Sequence, residues 1–217
     1  MISSGRVAVD GRVVRNIEFP IVRELHRIAV DGKEIVSCAR HYLALNKPRG
    51  LVTTAKDEQG RDTVYRCFDG SELGWIAPVG RLDKASEGLL LFSNDPEWAA
   101  SITDPETGPQ KTYHVQVDRI PDSDLLESLS VGVSRDDEML KASSAMVLRH
   151  GEKNAWLQIV LEEGRNRQIR RLLAAFDIGV LRLIRVAIGS VVLGDLPKGQ
   201  WRELTNEETA TLSRSSA

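Results

Sequence analysis

Apolar and polar residues alternate with a period of two in three stretches, and each predicts a strand with one buried face. Residues 42–47 read Tyr-Leu-Ala-Leu-Asn-Lys and stop at Pro48. Residues 110–117 put Tyr113, Val115 and Val117 on one side, and residues 156–161 do the same with Leu157, Ile159 and Leu161. A short apolar run after Gly88, Leu89-Leu90-Leu91-Phe92, predicts a further strand. Residues 180–193 and 200–204 predict two more. Asp-Gly sits between β-rich runs twice, at Asp10-Gly11 and Asp31-Gly32, and each predicts a tight hairpin.

Helical spacing is rarer. Asp95 followed by Pro96 predicts a capped helix start. Residues 122–130 turn Leu125, Leu126 and Leu129 inward and end near Gly132. In residues 166–176, Ile169, Leu172, Leu173 and Phe176 fall at i, i+3, i+4 and i+7, a single apolar stripe. Strands and helices do not alternate strictly, and the strands are one-faced. An α+β fold follows, with a mostly antiparallel or mixed sheet and flanking helices. Residues 1–37 read as a separate β-rich unit, residues 40–205 as the main domain and residues 206–217 as a polar tail with a helix turn or more.

Composition narrows the class. The 217 residues are 41% hydrophobic and 28% charged, with a net charge of −2. No apolar stretch approaches the ~20 residues of a membrane helix, and the first residues lack the layout of a signal peptide. Cys38 and Cys67 are too few for a disulfide framework and are expected to be inert. The four histidines show no metal spacing. A reduced, cytoplasmic protein without metal is expected.

Charge distribution matters more than its sum. Arg165, Arg167, Arg170, Arg171, Arg182 and Arg185 stand against only Glu163 and Asp177 between residues 163 and 186. Acidic residues gather elsewhere, at residues 122–127, 136–138 and 203–208. Arginine without lysine suits carboxylate or phosphate pairing. On the helical wheel of residues 166–176, Arg170 lies nearest the apolar border, so it is the arginine best placed to reach inward.

The string Gly80-Arg81-Leu82-Asp83-Lys84-Ala85-Ser86-Glu87-Gly88-Leu89-Leu90 puts a carboxylate and a guanidinium on a loop anchored by the strand that follows. It resembles the catalytic loop of the pseudouridine synthases that modify ribosomal RNA. Lys111-Thr112-Tyr113-His114-Val115, residues 163–171 and residues 182–189 resemble further motifs of that family, in order, from about Tyr42 to Leu204. Gly5-Arg6-Val7-Ala8-Val9-Asp10-Gly11 resembles the second half of an S4-type RNA-binding module. Met1 falls where that module's helices end, so either the module is partial or the chain begins downstream of a native start.

The resemblance implies isomerisation of uridine to pseudouridine in ribosomal RNA after base flipping, without a cofactor. Asp83 matches the essential aspartate, attacking C1′ or C6. Arg170 matches the arginine that orients it, and Tyr113 the tyrosine that stacks on the uracil. Leu183 would close the pocket and Arg81 would lie beside the vacated stack. Arg165, Arg167 and Arg171 would hold phosphates. The expected partner is ribosomal RNA or a ribosome assembly intermediate, with no membrane and no obligate protein partner, and a monomer is expected. Glu87 reads as a solvated side chain, and Lys111 and His114 as structural or surface residues.

Two other functions compete. A non-catalytic RNA-binding ribosome-assembly factor would use the same basic face but has no need of a buried Asp–Arg pair. A carboxylate-dependent glycosidase would want a second acid near Asp83 and no arginine-rich face.

Overall fold

A computed structural model describes residues 1–22, 25–35, 39–135 and 138–214, so the expectations for Cys38, Asp136 and Asp137 lie outside the described residues. The chain divides into two units, Met1–Ala39 and Arg40–Ala217. In the first, β1 (Val7–Val9), β2 (Arg12–Val14), β3 (Ile28–Val30) and β4 (Lys33–Glu34) form an antiparallel sheet of order β2-β1-β3-β4. Asp10 and Gly11 have φ of 48° and 79°, and Asp31 and Gly32 have 50° and 77°. Positive φ at both central residues is the geometry that a two-residue hairpin selects Asp-Gly for.

The second unit begins with β5 (Tyr42–Lys47), a 3-10 helix at Val64–Phe68, β6 (Ala77–Val79), β7 (Glu87–Ser93), α1 (Pro96–Thr103) and β8 (Lys111–Val117). It continues with α2 (Ser123–Val131), β9 (Val133–Arg135), β10 (Glu138–Leu140), β11 (Ser144–His150) and β12 (Ala155–Leu161). The last elements are α3 (Gln168–Ala174), β13 (Val180–Ile188), β14 (Val191–Val192), β15 (Trp201–Glu203) and α4 (Asn206–Arg214). The main sheet has nine described strands, in the order β11-β12-β8-β13-β7-β5-β15, with β14 beside β13 and β6 beside β7. Among the described strands only β13 and β7 pair in parallel; one isolated parallel bridge joins Val52 to Thr63. The fold is therefore α+β on a mixed sheet, as the one-faced strands predict.

β13 holds the two halves of this sheet together, since it pairs antiparallel with β8 and parallel with β7. Gly88 makes the second contact possible. A Cβ there would lie 2.3 Å from the Arg185 carbonyl oxygen, and its φ of +99° is one that L side chains rarely adopt.

Helices cover both faces of β7, which is buried along its whole length. Leu90 and Phe92 join the core containing Tyr113, Leu129, Leu157, Leu172 and Leu173, under α2 and α3. Leu89 and Leu91 join Trp98, Ile102 and Leu212, under α1 and α4. Burial on both sides explains the unbroken run Leu89-Leu90-Leu91-Phe92, which alternation could not produce.

Local signals place the caps. Asp95 accepts from the N–H groups of Glu97 and Trp98, and Asp122 from that of Leu125. The structure corrects several boundaries. The arginine-bearing helix is shorter than the apolar stripe suggests, because Arg167 at its N-cap is left-handed, with φ of 50°. Residues 180–193 are a hairpin, with Gly189 at φ of 53° in the turn. The polar tail contains α4, whose start is a reciprocal capping box. Thr205 Oγ1 accepts from the Glu208 N–H at 3.1 Å, and Glu208 Oε2 from the Thr205 N–H at 2.9 Å. The strands β6, β9, β10 and β11 and the 3-10 helix were not legible as periodic segments.

Candidate active site

Asp83 lies on the loop between β6 and β7, and hydrogen bonds from Lys47, Thr53 and Gly50, with one inside the loop, hold it in place. Lys47, fully buried at the end of β5, donates from Nζ to the carbonyl oxygens of Pro48, Asp83 and Ser86, at 3.1, 3.2 and 2.9 Å. Thr53 Oγ1 donates to the Leu82 carbonyl at 2.7 Å. The Gly50 N–H donates to the Lys84 carbonyl at 2.8 Å, and the Ser86 N–H to that of Asp83 at 3.0 Å. Leu82 buries its side chain in the core, which leaves Arg81 and Asp83 facing outward on either side of it. Burial lowers the Lys47 ammonium pKa from 10.5 to about 8, although Cys67, Asp83 and Glu87 pull the other way.

A cavity of about 420 Å³ opens in front of Asp83, within the usual range for a small-molecule site. Its wall brings together Asp83, Tyr113 and Arg170, and with them Arg81, Arg165, Arg167 and Leu183. Tyr113 is buried on β8, and Leu183 stands on β13, opposite Val115 in the register. Antiparallel pairing with period two puts both side chains on the cavity face.

Arg171 is not part of this group. It projects to the far side of α3, where Nη1 donates to Glu138 Oε2 at 2.6 Å and Nη2 to the Arg135 carbonyl at 3.4 Å. The roles of the other arginines also differ from the wheel's suggestion. Arg167 makes the direct contact with Asp83, Nη1 to Oδ2 at 3.4 Å. Its left-handed backbone swings the side chain off the helical wheel and toward the loop. Arg170 does reach inward, but donates to the Val180 carbonyl at 3.3 Å, and its buried Nε has no partner among the described residues. Burial and the neighbouring Arg167 lower its pKa, while Asp83 opposes the shift.

Gln168 organises the turn that carries these arginines. Its Oε1 accepts from the Arg165 N–H at 3.2 Å, while its Nε2 donates to Lys141 O at 3.1 Å and to Glu163 Oε1 at 2.9 Å. Glu163 also accepts from Arg165 Nε at 2.7 Å. Charge around the cavity is lopsided. Six cations (Arg81, Lys111, Arg165, Arg167, Arg170, Arg185) face three carboxylates (Asp83, Asp104, Glu163). Such a cleft attracts a polyanion even though the whole chain is slightly acidic.

Two residues read from sequence as peripheral lie elsewhere. Glu87 is buried, accepting from Arg182 at 2.6 and 3.0 Å and from Lys198 at 2.7 Å. Arg182 chiefly, and then Lys198, hold its pKa down at about 2 against the burial that would raise it. Lys111 is buried and lines the cavity rather than the surface. Sequence patterning does not single out Lys47, Thr53 or Gln168 either; the one sign is a lysine closing the strand of residues 42–47. Among the described residues, no group of three or more His, Cys, Asp or Glu could hold a metal ion, and no helix is long and apolar enough to cross a membrane.

Residues 41–175 match the family model described as RNA pseudouridylate synthase. The chain is 37% identical, over 98% of its own length and 85% of the relative's, to an "uncharacterized RNA pseudouridine synthase" of Aquifex aeolicus. It is 34% identical, over 98% of its length and 87% of the relative's, to ribosomal large subunit pseudouridine synthase B of Bacillus subtilis. A crystal structure of a pseudouridylate synthase superposes with a TM-score of 0.70 at 31% identity, covering 97% of this chain and 90% of the other. The chain thus belongs to the RNA pseudouridylate synthases, isomerases that convert uridine in RNA to pseudouridine.

Proposed function

We propose that this enzyme isomerises a uridine of ribosomal RNA, in the large subunit by the naming of its relatives, and that Asp83 is the carboxylate that does the chemistry. The target base flips out of its stack into the cavity, at a cost of a few kcal/mol. Arg81, exposed beside Asp83, fills the gap left behind, where a guanidinium plane replaces part of the lost stacking. Asp83 attacks C1′ or C6 and the glycosidic bond to N1 breaks. The uracil turns and rejoins through C5. Covalent assistance divides one hard step into easier ones, and no cofactor is called for.

Tyr113 stacks on the uracil and takes part in removing the C5 proton. Leu183 closes the apolar side of the pocket. Arg167 and Arg170 orient Asp83 from two sides, Arg165 and Arg167 take RNA phosphates, and residues 1–37 act as a partial S4-like RNA-binding module. The observation that carries this reading is the rigid seating of the Asp83 loop by Lys47 and Thr53 at the edge of a cation-lined cavity.

Pseudouridine mapping on unmodified large-subunit ribosomal RNA tests it, using the wild type and Asp83→Asn. The expected result is a new mark at one uridine with the wild type and none with the variant, while RNA binding persists in both. Isomerisation by Asp83→Asn would overturn the aspartate's role. Binding without any mark, on RNA or on assembly intermediates, would favour an assembly factor.

A further inference from the structure

Beyond Asp83, Tyr113 and Arg170, the same cavity holds two buried cations that the scheme above does not use. Lys111 opens β8 two residues before Tyr113, so both side chains lie on one face of the strand. Arg185 is directly opposite Tyr113 in the β13 register and shares that face. Lys111 is 9% exposed and Arg185 5%, and both line the cavity.

Neither charge is matched by a carboxylate contact among the described residues. The cross-strand neighbours of Lys111 are Leu161 and Ile188, both apolar. Its ammonium has no hydrogen bond or ion pair with a described residue. The carboxylate that favours its charge, Asp104, is already engaged, since Oδ1 accepts from the N–H groups of Glu106 and Thr107, each at 2.8 Å. Arg185 donates from Nε to the Leu89 carbonyl at 2.7 Å, yet its buried Nη2 has no partner among the described residues. Burial lowers the Lys111 pKa and Arg185 adds to that. A buried charge without a counter-ion costs stability, and an apolar residue of similar size would avoid that cost.

We infer that Lys111, with Arg185 beside it, holds the negative charge that develops on the uracil during isomerisation. This rests on the reading of the cavity as the uridine site. When the C1′–N1 bond breaks, its electron pair stays with the uracil and the charge spreads over N1, O2 and O4. The C1′–C5 bond then forms from that charge, the carboxylate leaves C1′ with its own electron pair, the C5 proton goes to a base, and N1 takes up a proton. On the C6 route, addition of the carboxylate places the electron pair on O4 instead. Both routes put negative charge on a uracil oxygen inside the pocket. A phosphate is the poorer fit here, because Lys111 and Arg185 lie beside the buried Tyr113, whereas the exposed arginines Arg165 and Arg167 suit phosphates better.

The test uses the full chain, as wild type, Asp83→Asn, Lys111→Met and Lys111→Arg, on unmodified large-subunit ribosomal RNA. Single-turnover rate, RNA dissociation constant and Tm are measured. Lys111→Met should slow turnover by about 100-fold or more, the usual scale for losing a preorganised charge contact. Its RNA affinity should change by less than about twofold, and its Tm should stay or rise because an unpaired buried charge has gone. Lys111→Arg should recover at least about tenfold of the lost rate. A wild-type rate in Lys111→Met overturns the inference, and so does a rate loss accompanied by a lower Tm, which would make Lys111 a packing residue. An inactive wild type overturns the uridine-site reading and this inference together. An active, Asp83-dependent wild type beside an equally active Lys111→Met overturns this inference alone.

Discussion

Lys47 Nζ lies 3.2 Å from the carbonyl oxygen of Asp83, so the residue proposed for the chemistry is held by its backbone from a strand 36 positions earlier. The same ammonium also holds the carbonyls of Pro48 and Ser86. Lys47→Met leaves three buried acceptors without this donor. It should cost about 3 kcal/mol of stability and, by loosening the loop, about 100-fold in single-turnover rate. Denaturant melts and rapid-quench assays check the two losses separately.

Lys47 also makes a pH prediction with a definite sign. Its folded pKa of about 8 lies below the ordinary 10.5, so the unfolded chain binds the proton more tightly. The burial penalty is fully present below pH 8 and fades as pH rises to 10.5, a gain of about 3 kcal/mol at most. Stability curves of wild type and Lys47→Met should therefore drift apart in the wild type's favour across that window. Parallel curves would mean that the three carbonyls hold the ammonium's pKa up.

Glu87 predicts a second dependence of the same sign, at acid pH. Its folded pKa of about 2 lies below the ordinary 4.5, so the stabilisation is full above pH 4.5 and is lost as pH falls toward 2. Arg182 and Lys198 are partly exposed, which limits the effect to about 2 kcal/mol. Glu87→Gln should flatten the acid limb of the stability curve and lower Tm at neutral pH by roughly 5 °C.

Arginines of one segment should behave differently in salt. Arg165→Ala and Arg167→Ala should each reduce the slope of log affinity against log salt by about 0.7–0.9, one phosphate apiece. Arg171→Ala should leave the slope unchanged, because that side chain projects to the far side of α3, toward Glu138 and the Arg135 carbonyl, and does not line the cavity as Arg165 and Arg167 do. A titration series between low and moderate salt distinguishes them.

Gly88→Ala should be among the most damaging small changes in the chain. Its Cβ would meet the β13 backbone at 2.3 Å, at a φ that favours glycine. A loss of about 3 kcal/mol or more is expected, read as a drop in the urea midpoint.

Much of this architecture is legible locally. The Asp-Gly hairpins, the Asp95 cap and the alternation of residues 111–117 follow from short-range chemistry, so the sequence alone is enough for them. The apolar stripe of α3 is also readable, but Arg167 is not, because nothing in its neighbours announces a left-handed residue. Lys47, Glu87 and Lys111 share another difficulty. A charged residue at a strand end reads as exposed until a distant segment folds over it. The Lys47 partners come from residues 83 and 86, and those of Glu87 from residues 182 and 198. Strands β9 to β11 are short, polar or half-exposed, and their pairing rather than their composition defines them.

The position of β13 bears on how the enzyme is made. Asp83 precedes β7 and Tyr113 stands on β8, yet these strands do not touch, because residues 180–188 lie between them. Until residues 180–188 have left the ribosome, β7 and β8 lack the strand that lies between them, and Asp83 and Tyr113 have no common wall. Insertion of one late strand, parallel to one neighbour and antiparallel to the other, closes the slot. The proposed uridine site is therefore complete only once residues 180–188 have been synthesised and paired on both sides.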